Sequence, residues 1–168
     1  KTPIETIYFG GGTPSLLTLN QLNRIFGTLQ ENFDLASVSE ITLEANPDDL
    51  TDSKLKEFRQ TPINRLSIGV QSFFDEDLIL MNRAHRGSEA EKCIKYAQNI
   101  GFDNITIDLI YGSSSTTHEM WHQNLQKAVD LAVPHISSYA LTVEPKTKLD
   151  FDIQQGKTKK ISSSVANA

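Results

Sequence analysis

The chain has 168 residues, the size of one domain or of a part of one, which argues against two independent cores. Sixteen Lys and Arg against twenty-one Asp and Glu leave a net charge of −5, which argues against a partner nucleic acid held on a broad basic face. Apolar residues at 38 % with charged residues at 22 % exclude a disordered chain and are enough for a packed core.

Short apolar, β-branched runs alternate with longer segments of helical period, the pattern of parallel strands joined by helical crossovers. Ile4–Phe9 is the first predicted strand, opening almost directly from Lys1 without an apolar signal region, as a chain that starts in mid-domain does. A glycine-rich loop follows, and Leu22, Ile25, Phe26 and Leu29 stand at helical spacing within Asn20–Glu31. Glu40–Ala45 is the second strand, Asn46-Pro-Asp-Asp a turn, and Ser53–Gln60 the next helix. Arg65–Val70 is the third strand, with a short helix Asp75–Met81 and a longer one Ser88–Asn99 ending at Gly101. Asn104–Ile110 is the fourth strand. Thr116 or Thr117 caps a helix running to Leu131, and His135–Leu141 is the fifth strand after Pro134. The α/β pattern fills residues 1–151, and the polar stretch 152–168 has no periodic apolar set and is expected to be a disordered tail. The longest apolar runs, such as Leu78–Met81, fall far short of the roughly 18–20 residues of a membrane-spanning helix.

In parallel sheets and βα barrels ligands bind at the carboxyl ends of the strands, where loops vary above a rigid frame. The strands here end in Gly10-Gly11-Gly12-Thr13-Pro14, Glu44-Ala45-Asn46-Pro47, Gln71-Ser72-Phe73, Asp108 with Gly112 beyond it, and Ala140. Three consecutive glycines leave their amides uncovered, so a polar ligand can approach the backbone, although a plain turn has the same composition. Neither the dinucleotide fingerprint nor the phosphate-loop pattern is present. Glu44 and Asp108, with Gln71, supply acceptors and an amide suited to ribose hydroxyls and an ammonium group, and Arg83 offers a planar fork for a carboxylate.

His118-Glu-Met-Trp-His122 matches the H-E-x-x-H zinc pattern, but it opens a crossover helix and lacks the extension that supplies a third ligand. The competing expectation is a helix start with Trp121 packed inward. His85 and His135 read as surface or strand-end imidazoles. Cys93, beside Ile94 and Ala97, reads as a small core residue. One cysteine excludes an internal disulfide, cannot by itself hold an iron–sulfur cluster, and suits a reducing, cytoplasmic location.

Tyr8-Phe-Gly-Gly-Gly-Thr-Pro-Ser, Leu43-Glu-Ala-Asn-Pro, Arg65-Leu-Ser-Ile-Gly-Val-Gln-Ser-Phe, Asn82-Arg-Ala-His and Ile107-Asp-Leu-Ile-Tyr-Gly occur in order between about Ile4 and Phe151. Together they resemble the radical S-adenosylmethionine family of oxygen-independent coproporphyrinogen III oxidases and their relatives. Glu-Ala-Asn-Pro and Arg-Ala-His look more like the heme-chaperone branch. The resemblance implies a partial (β/α) barrel in which Gly11, Gly12 and Thr13 hold the methionyl end of S-adenosylmethionine. It further implies that Glu44, Gln71 and Asp108 contact its polar groups, including the ribose, that Arg83 binds its carboxylate, and that Ala140 lines the adenosyl site. The family's C-x3-C-x2-C cluster motif is not among these residues and is expected upstream of Lys1, with a further domain after the barrel. Alone, this segment is expected to be inactive. In the complete protein a [4Fe–4S] cluster would reduce S-adenosylmethionine to give a 5′-deoxyadenosyl radical. The oxidase branch uses that radical on porphyrinogen propionates, and the chaperone branch binds heme and delivers it to respiratory proteins at the membrane. The loop after Asp-Leu-Ile-Tyr-Gly departs from the family by reading Ser113-Ser-Ser-Thr-Thr where proline is usual. The alternative is a βα-barrel metal-dependent hydrolase using His118 and His122 and carrying stoichiometric zinc.

Overall fold

The computed structural model describes residues 1–158. Five parallel strands, β2 (Thr6–Phe9), β4 (Glu40–Ala45), β5 (Arg65–Gln71), β6 (Asn104–Tyr111) and β7 (His135–Ala140), form one sheet in sequence order. A parallel neighbour is reached only through a crossover, and helices supply each one. They are α1 (Leu19–Asn32), α2 (Asp52–Phe58), α3 (Asp75–Leu80) with α4 (Gly87–Asn99), and α5 (His118–Asp130). Because the strand order never reverses, the sheet has no switch point and belongs to the barrel type rather than the doubly wound type.

The strands alternate, although parallel strands covered on both faces read as continuous apolar runs. Ile41, Leu43, Leu66, Ile68, Val70, Ile105, Ile107 and Leu109 are buried in the core with Leu22 and Phe26 of α1, Leu55 and Phe58 of α2, and Ile94 and Ala97 of α4. Each such Leu, Ile or Phe contributes about 1.5–3 kcal/mol by leaving water. Thr42, Glu44, Ser67, Thr106 and Asp108 stand at the alternate positions, and register aligns Glu44 with Ser67 and Ser67 with Thr106. One face is therefore apolar and covered by helices, and the other is polar. Near the start of the strands, Arg65 bridges that polar face by donating to Glu40 Oε2 at 2.8 Å and to Thr106 Oγ1 at 2.6 Å.

Threonines set the helix starts. Thr18 closes a capping box with Gln21, and Thr51 and Thr117 accept from the amides of Lys54 and Met120. Three features differ from the sequence expectation. The first strand of the sheet begins at Thr6 rather than Ile4, and Thr2–Pro3 (β1) pairs instead with Phe33–Asp34 (β3) in a separate two-stranded ladder. A sixth helix, α6 (Lys148–Gln154), crosses the expected boundary at 151, with Thr147 as its cap, so Asp152–Gln154 are helical rather than tail. The remainder of the expected tail, 159–168, lies outside the described residues. No helix among the described residues is long and apolar enough to cross a membrane.

Candidate functional site

At the carboxyl ends of β2, β4, β5 and β6 lies a cleft of about 220 Å3, lined by Gly12, Thr13, Glu44, Asn46, Ser67, Gly69, Gln71, Arg83 and Asp108 among others. The strand ends that the sequence singles out thus meet in space, although they are far apart in the chain. Gly11 joins them through a hydrogen bond, its amide donating to Glu44 Oε2 at 3.1 Å. The other Glu44 oxygen accepts from the Tyr8 hydroxyl at 2.8 Å. Gly11 and Gly12 have φ of 78° and 66°, a left-handed backbone that glycine adopts without steric cost. Ala140 ends β7 opposite Tyr111 and does not line the cleft.

A bulge in β5 shapes the middle of the site. Ile68 pairs with Ile107 but Gln71 pairs with Leu109, so β5 holds one extra residue there, and Gln71 sits at φ 66°. Bulges re-aim side chains, and here Ser67, Gly69 and Gln71 all line the cleft. Gly69 also leaves room for its neighbours, because a Cβ on it would lie 2.9 Å from Gln71 Nε2 and 3.1 Å from Arg83 Nη2. Its hydrogen is what lets both side chains reach the same spot. Arg83 donates from Nη2 to the Gly69 carbonyl at 3.1 Å and to Asn46 Oδ1 at 3.0 Å. Asn46 Nδ2 in turn donates to Asp49 Oδ2 at 3.4 Å, and that oxygen also accepts from Ser15 at 2.7 Å. A relay of side chains thus ties the loops after β2 and β4 to Arg83.

The electrostatics are those of a half-buried polar cleft. Burial, followed by the neighbouring Glu44 charge, raises the Asp108 carboxyl above its ordinary value, against a hydrogen bond from Ser137 and the charges of Arg83 and His135. Burial lowers Arg83, with Asp48 and Asp108 opposing. Burial and the Glu44 carboxylate raise the Tyr8 phenol. The cleft therefore offers two carboxylates to hydroxyl or ammonium donors and one guanidinium to an anion. Gln71 and Arg83 also line a second hollow of about 340 Å3, between the exit of α3 and the segment Leu141–Leu149.

Other expectations divide. Trp121 packs inward, its ring 5.4 Å from that of Tyr111. Cys93 is a core residue whose thiol burial pushes up to about 12. His118 and His122 are exposed, and among the described residues no three His, Cys, Asp or Glu are grouped to hold a metal ion. His85 is not at the surface: it is 2 % exposed, and its Nε2 donates to the Val70 carbonyl at 3.0 Å. The end of β5 and Asp48 of the loop after β4 lie against it, a tertiary effect with no trace in the local pattern. Three further cleft residues are Asn46, which stands in the second strand end but has no role in the sequence reading, and Ser67 and Gly69, which lie short of the third strand end. The alternation in Arg65-Leu-Ser-Ile-Gly-Val-Gln, which puts Ser67 and Gly69 on the polar face, is the signal for two of them.

A one-sided parallel sheet with carboxylates, a guanidinium and open glycine backbone at its carboxyl rim is the frame of a barrel-type protein whose cleft suits a polar small molecule. The chain belongs to the Radical SAM superfamily, which matches residues 1–128. It is 40 % identical over 144 residues to the heme chaperone HemW of Lactococcus lactis, covering 86 % of this chain and 38 % of that protein. It is 37 % identical over 155 residues to HemW of Bacillus subtilis, covering 92 % and 41 %. Among solved structures, coproporphyrinogen III oxidase (HemN) from Escherichia coli, described as a radical SAM enzyme, superposes with a TM-score of 0.77 at 31 % identity. That match covers 97 % of this chain and 36 % of HemN. The chain thus spans about two fifths of the length of the curated relatives it matches. The superfamily implies S-adenosylmethionine and a [4Fe–4S] cluster. The cleft has the donor set for the first. The second does not fit these residues, whose one cysteine is buried in the core.

Proposed function

We propose that this chain forms the S-adenosylmethionine-holding part of a radical SAM protein of the heme-chaperone branch. The observation that carries the reading is the convergence of Glu44, Gln71, Arg83 and Asp108 with Gly12 and Thr13 on one cleft. Gly11, Gly12 and Thr13 would receive the methionyl end at open backbone, and Arg83 would take the carboxylate. Glu44, Gln71 and Asp108 would accept from ammonium and ribose groups, with Ala140 flanking the adenosyl moiety. The ligand supplies a sulfonium that can be cleaved reductively. The chain's own residues bind and orient it.

Identities of 40 % and 37 % to HemW proteins, against 31 % to HemN, favour heme as cargo over porphyrinogen as substrate. Cytoplasmic residence, with delivery of heme to respiratory proteins at the membrane, completes the reading. The test uses S-adenosylhomocysteine, which keeps every recognised group except the sulfonium methyl. Ligand-detected NMR should give weak, saturable binding that Arg83→Gln and Glu44→Ala abolish and that His118→Ala leaves intact. Absence of saturation at millimolar ligand, or binding indifferent to Arg83 and Glu44, overturns the assignment.

A further inference from the structure

Between Gln71 and Arg83 the chain leaves the sheet, forms α3 and returns, so two polar side chains of the cleft stand at the two ends of one excursion. In the middle of that excursion is Asp77, fully buried on α3. Its Oδ2 accepts from the Ser72 hydroxyl at 2.8 Å. Its Oδ1 accepts from Ser113, Ser115 and Thr116 at 3.0, 2.6 and 2.8 Å. Ser72 also accepts from Asn124 Nδ2 on α5 at 3.1 Å, and Asn124 Oδ1 accepts from the Phe73 amide at 2.7 Å. A buried carboxylate is costly unless its lone pairs are used, and here four hydroxyls use them. All of these hydroxyls lie in the loops that leave β5 and β6 at the rim of the site.

We propose that Asp77 is a positioning residue for the cleft. It clamps the Gln71–Arg83 excursion to the loop after β6, which holds Gln71 at one end and Arg83 at the other. Arg83 depends on it directly through the helix: the Met81 amide donates to the Asp77 carbonyl, and the Arg83 amide to that of Leu78. The clamp also accounts for the serine-rich sequence of the β6 loop, whose hydroxyls fix a turn that no proline stiffens. The inference rests on the reading of Arg83 as the carboxylate binder only in its ligand arm, and its exchange arm stands alone.

The experiment compares the full chain with Asp77→Ala and Asp77→Asn. Asparagine keeps an acceptor for the β6-loop hydroxyls and can donate to Ser72, so it should rescue. In Asp77→Ala, amide hydrogen exchange at Gln71–Phe74 and Met81–Arg83 should quicken about tenfold or more, while α1 and α2 stay within about twofold. S-adenosylhomocysteine should bind about tenfold more weakly. 5′-Methylthioadenosine, which lacks the amino-acid end, should change less than about twofold. Should Asp77→Ala fail to fold, Ser113→Ala with Ser115→Ala and Thr116→Val removes the β6-loop half of the clamp and should give the same local pattern. Uniform loss of protection across the sheet, or equal weakening of both nucleosides, makes Asp77 merely structural and overturns the proposal. Local quickening in a protein that binds neither nucleoside upholds the clamp and overturns the ligand assigned to the cleft.

Discussion

The Arg83 guanidinium donates to the Asn46 side-chain oxygen at 3.0 Å, joining the exit of α3 to the loop after β4. The acceptor is neutral, so the guanidinium charge stays free for an anion from outside. Had the sequence placed a carboxylate there, Arg83 would be held as firmly but neutralised.

Asn46→Asp tests this with a nearly isosteric change. An ion pair replaces the hydrogen bond from Arg83, while the donor to Asp49 at 3.4 Å is lost and two carboxylates face each other there, so the melting temperature should fall slightly with the fold intact. Binding of S-adenosylhomocysteine should weaken about tenfold, the worth of one charge-assisted contact. 5′-Methylthioadenosine should bind as before. Titration of the two ligands against both proteins checks it, and equal weakening of both would falsify the assignment of Arg83 to a carboxylate.

Gly69→Ala separates site from fold. The new Cβ crowds the far ends of Gln71 and Arg83, at 2.9 and 3.1 Å, and touches Asn46 Oδ1 at an ordinary 3.7 Å, and φ at this position lies outside the left-handed region. Both side chains can swing away, so stability should change by less than about 1 kcal/mol. The cleft, however, loses its two reaching groups together. Thermal denaturation unchanged within error, with nucleoside binding lost, is the expected result.

The strand order and the gathering of Glu44, Gln71, Arg83 and Asp108 were legible in the sequence because crossovers and strand ends are local patterns with a fixed spatial consequence. The alternation places Gly69 on the polar face, but its role in making room for Gln71 and Arg83 was not legible, since that depends on a bulge, a property of register between two strands. β1 and β3 were not, being two residues each with no apolar alternation. The helix α6 begins at a Thr147 cap after a Pro-Lys-Thr turn, a signal that was present and that the polar composition beyond Phe151 concealed. His85 is buried with its ring bonded to the Val70 carbonyl at the end of β5, and no local pattern announces that pairing.

His85 gives the protein a pH dependence of known sign. Its Nε2 proton is committed to the Val70 carbonyl, leaving Nδ1 buried without a hydrogen-bond partner and 3.8 Å from Asp48 Oδ1. Burial lowers its proton affinity, helped by the Arg83 charge and opposed by the Val70 bond and by Asp48 and Glu89. The unfolded chain therefore binds this proton more readily than the folded one. Stability is complete above the ordinary histidine value and falls as pH drops below it toward the lowered folded value. Melting temperature measured from about pH 7.5 to 5 should decline over this range, and His85→Gln should flatten that part of the curve.

The histidine pair on α5 predicts a negative result. His118 and His122 are exposed at the start of a crossover helix, and the described residues bring no third ligand to them. Elemental analysis of protein purified without chelator should give the same zinc content for wild type and for His118→Ala with His122→Ala. One zinc equivalent lost in the double variant would restore the hydrolase reading.

Asp108 sets function against stability. Its carboxyl is held above the ordinary value by burial and by Glu44, so the folded protein binds this proton more tightly than the unfolded chain does. Between the ordinary and the raised values, stability therefore falls as pH rises, and at neutral pH the ionised form is a net cost to the fold. Asp108→Asn should raise the melting temperature at about pH 7, and the gain should shrink on acidification as wild-type Asp108 takes up its proton. In the proposed site a charged acceptor holds ribose hydroxyls more strongly than a neutral amide oxygen, so the same substitution should weaken nucleoside binding by about 1–1.5 kcal/mol, roughly tenfold. Acidifying the wild type should weaken binding in the same way, beginning above the usual carboxylate range, whereas the variant's affinity should stay flat there. Parallel melting and titration series across pH decide the matter: a variant that is both less stable and equally tight-binding would remove Asp108 from the site.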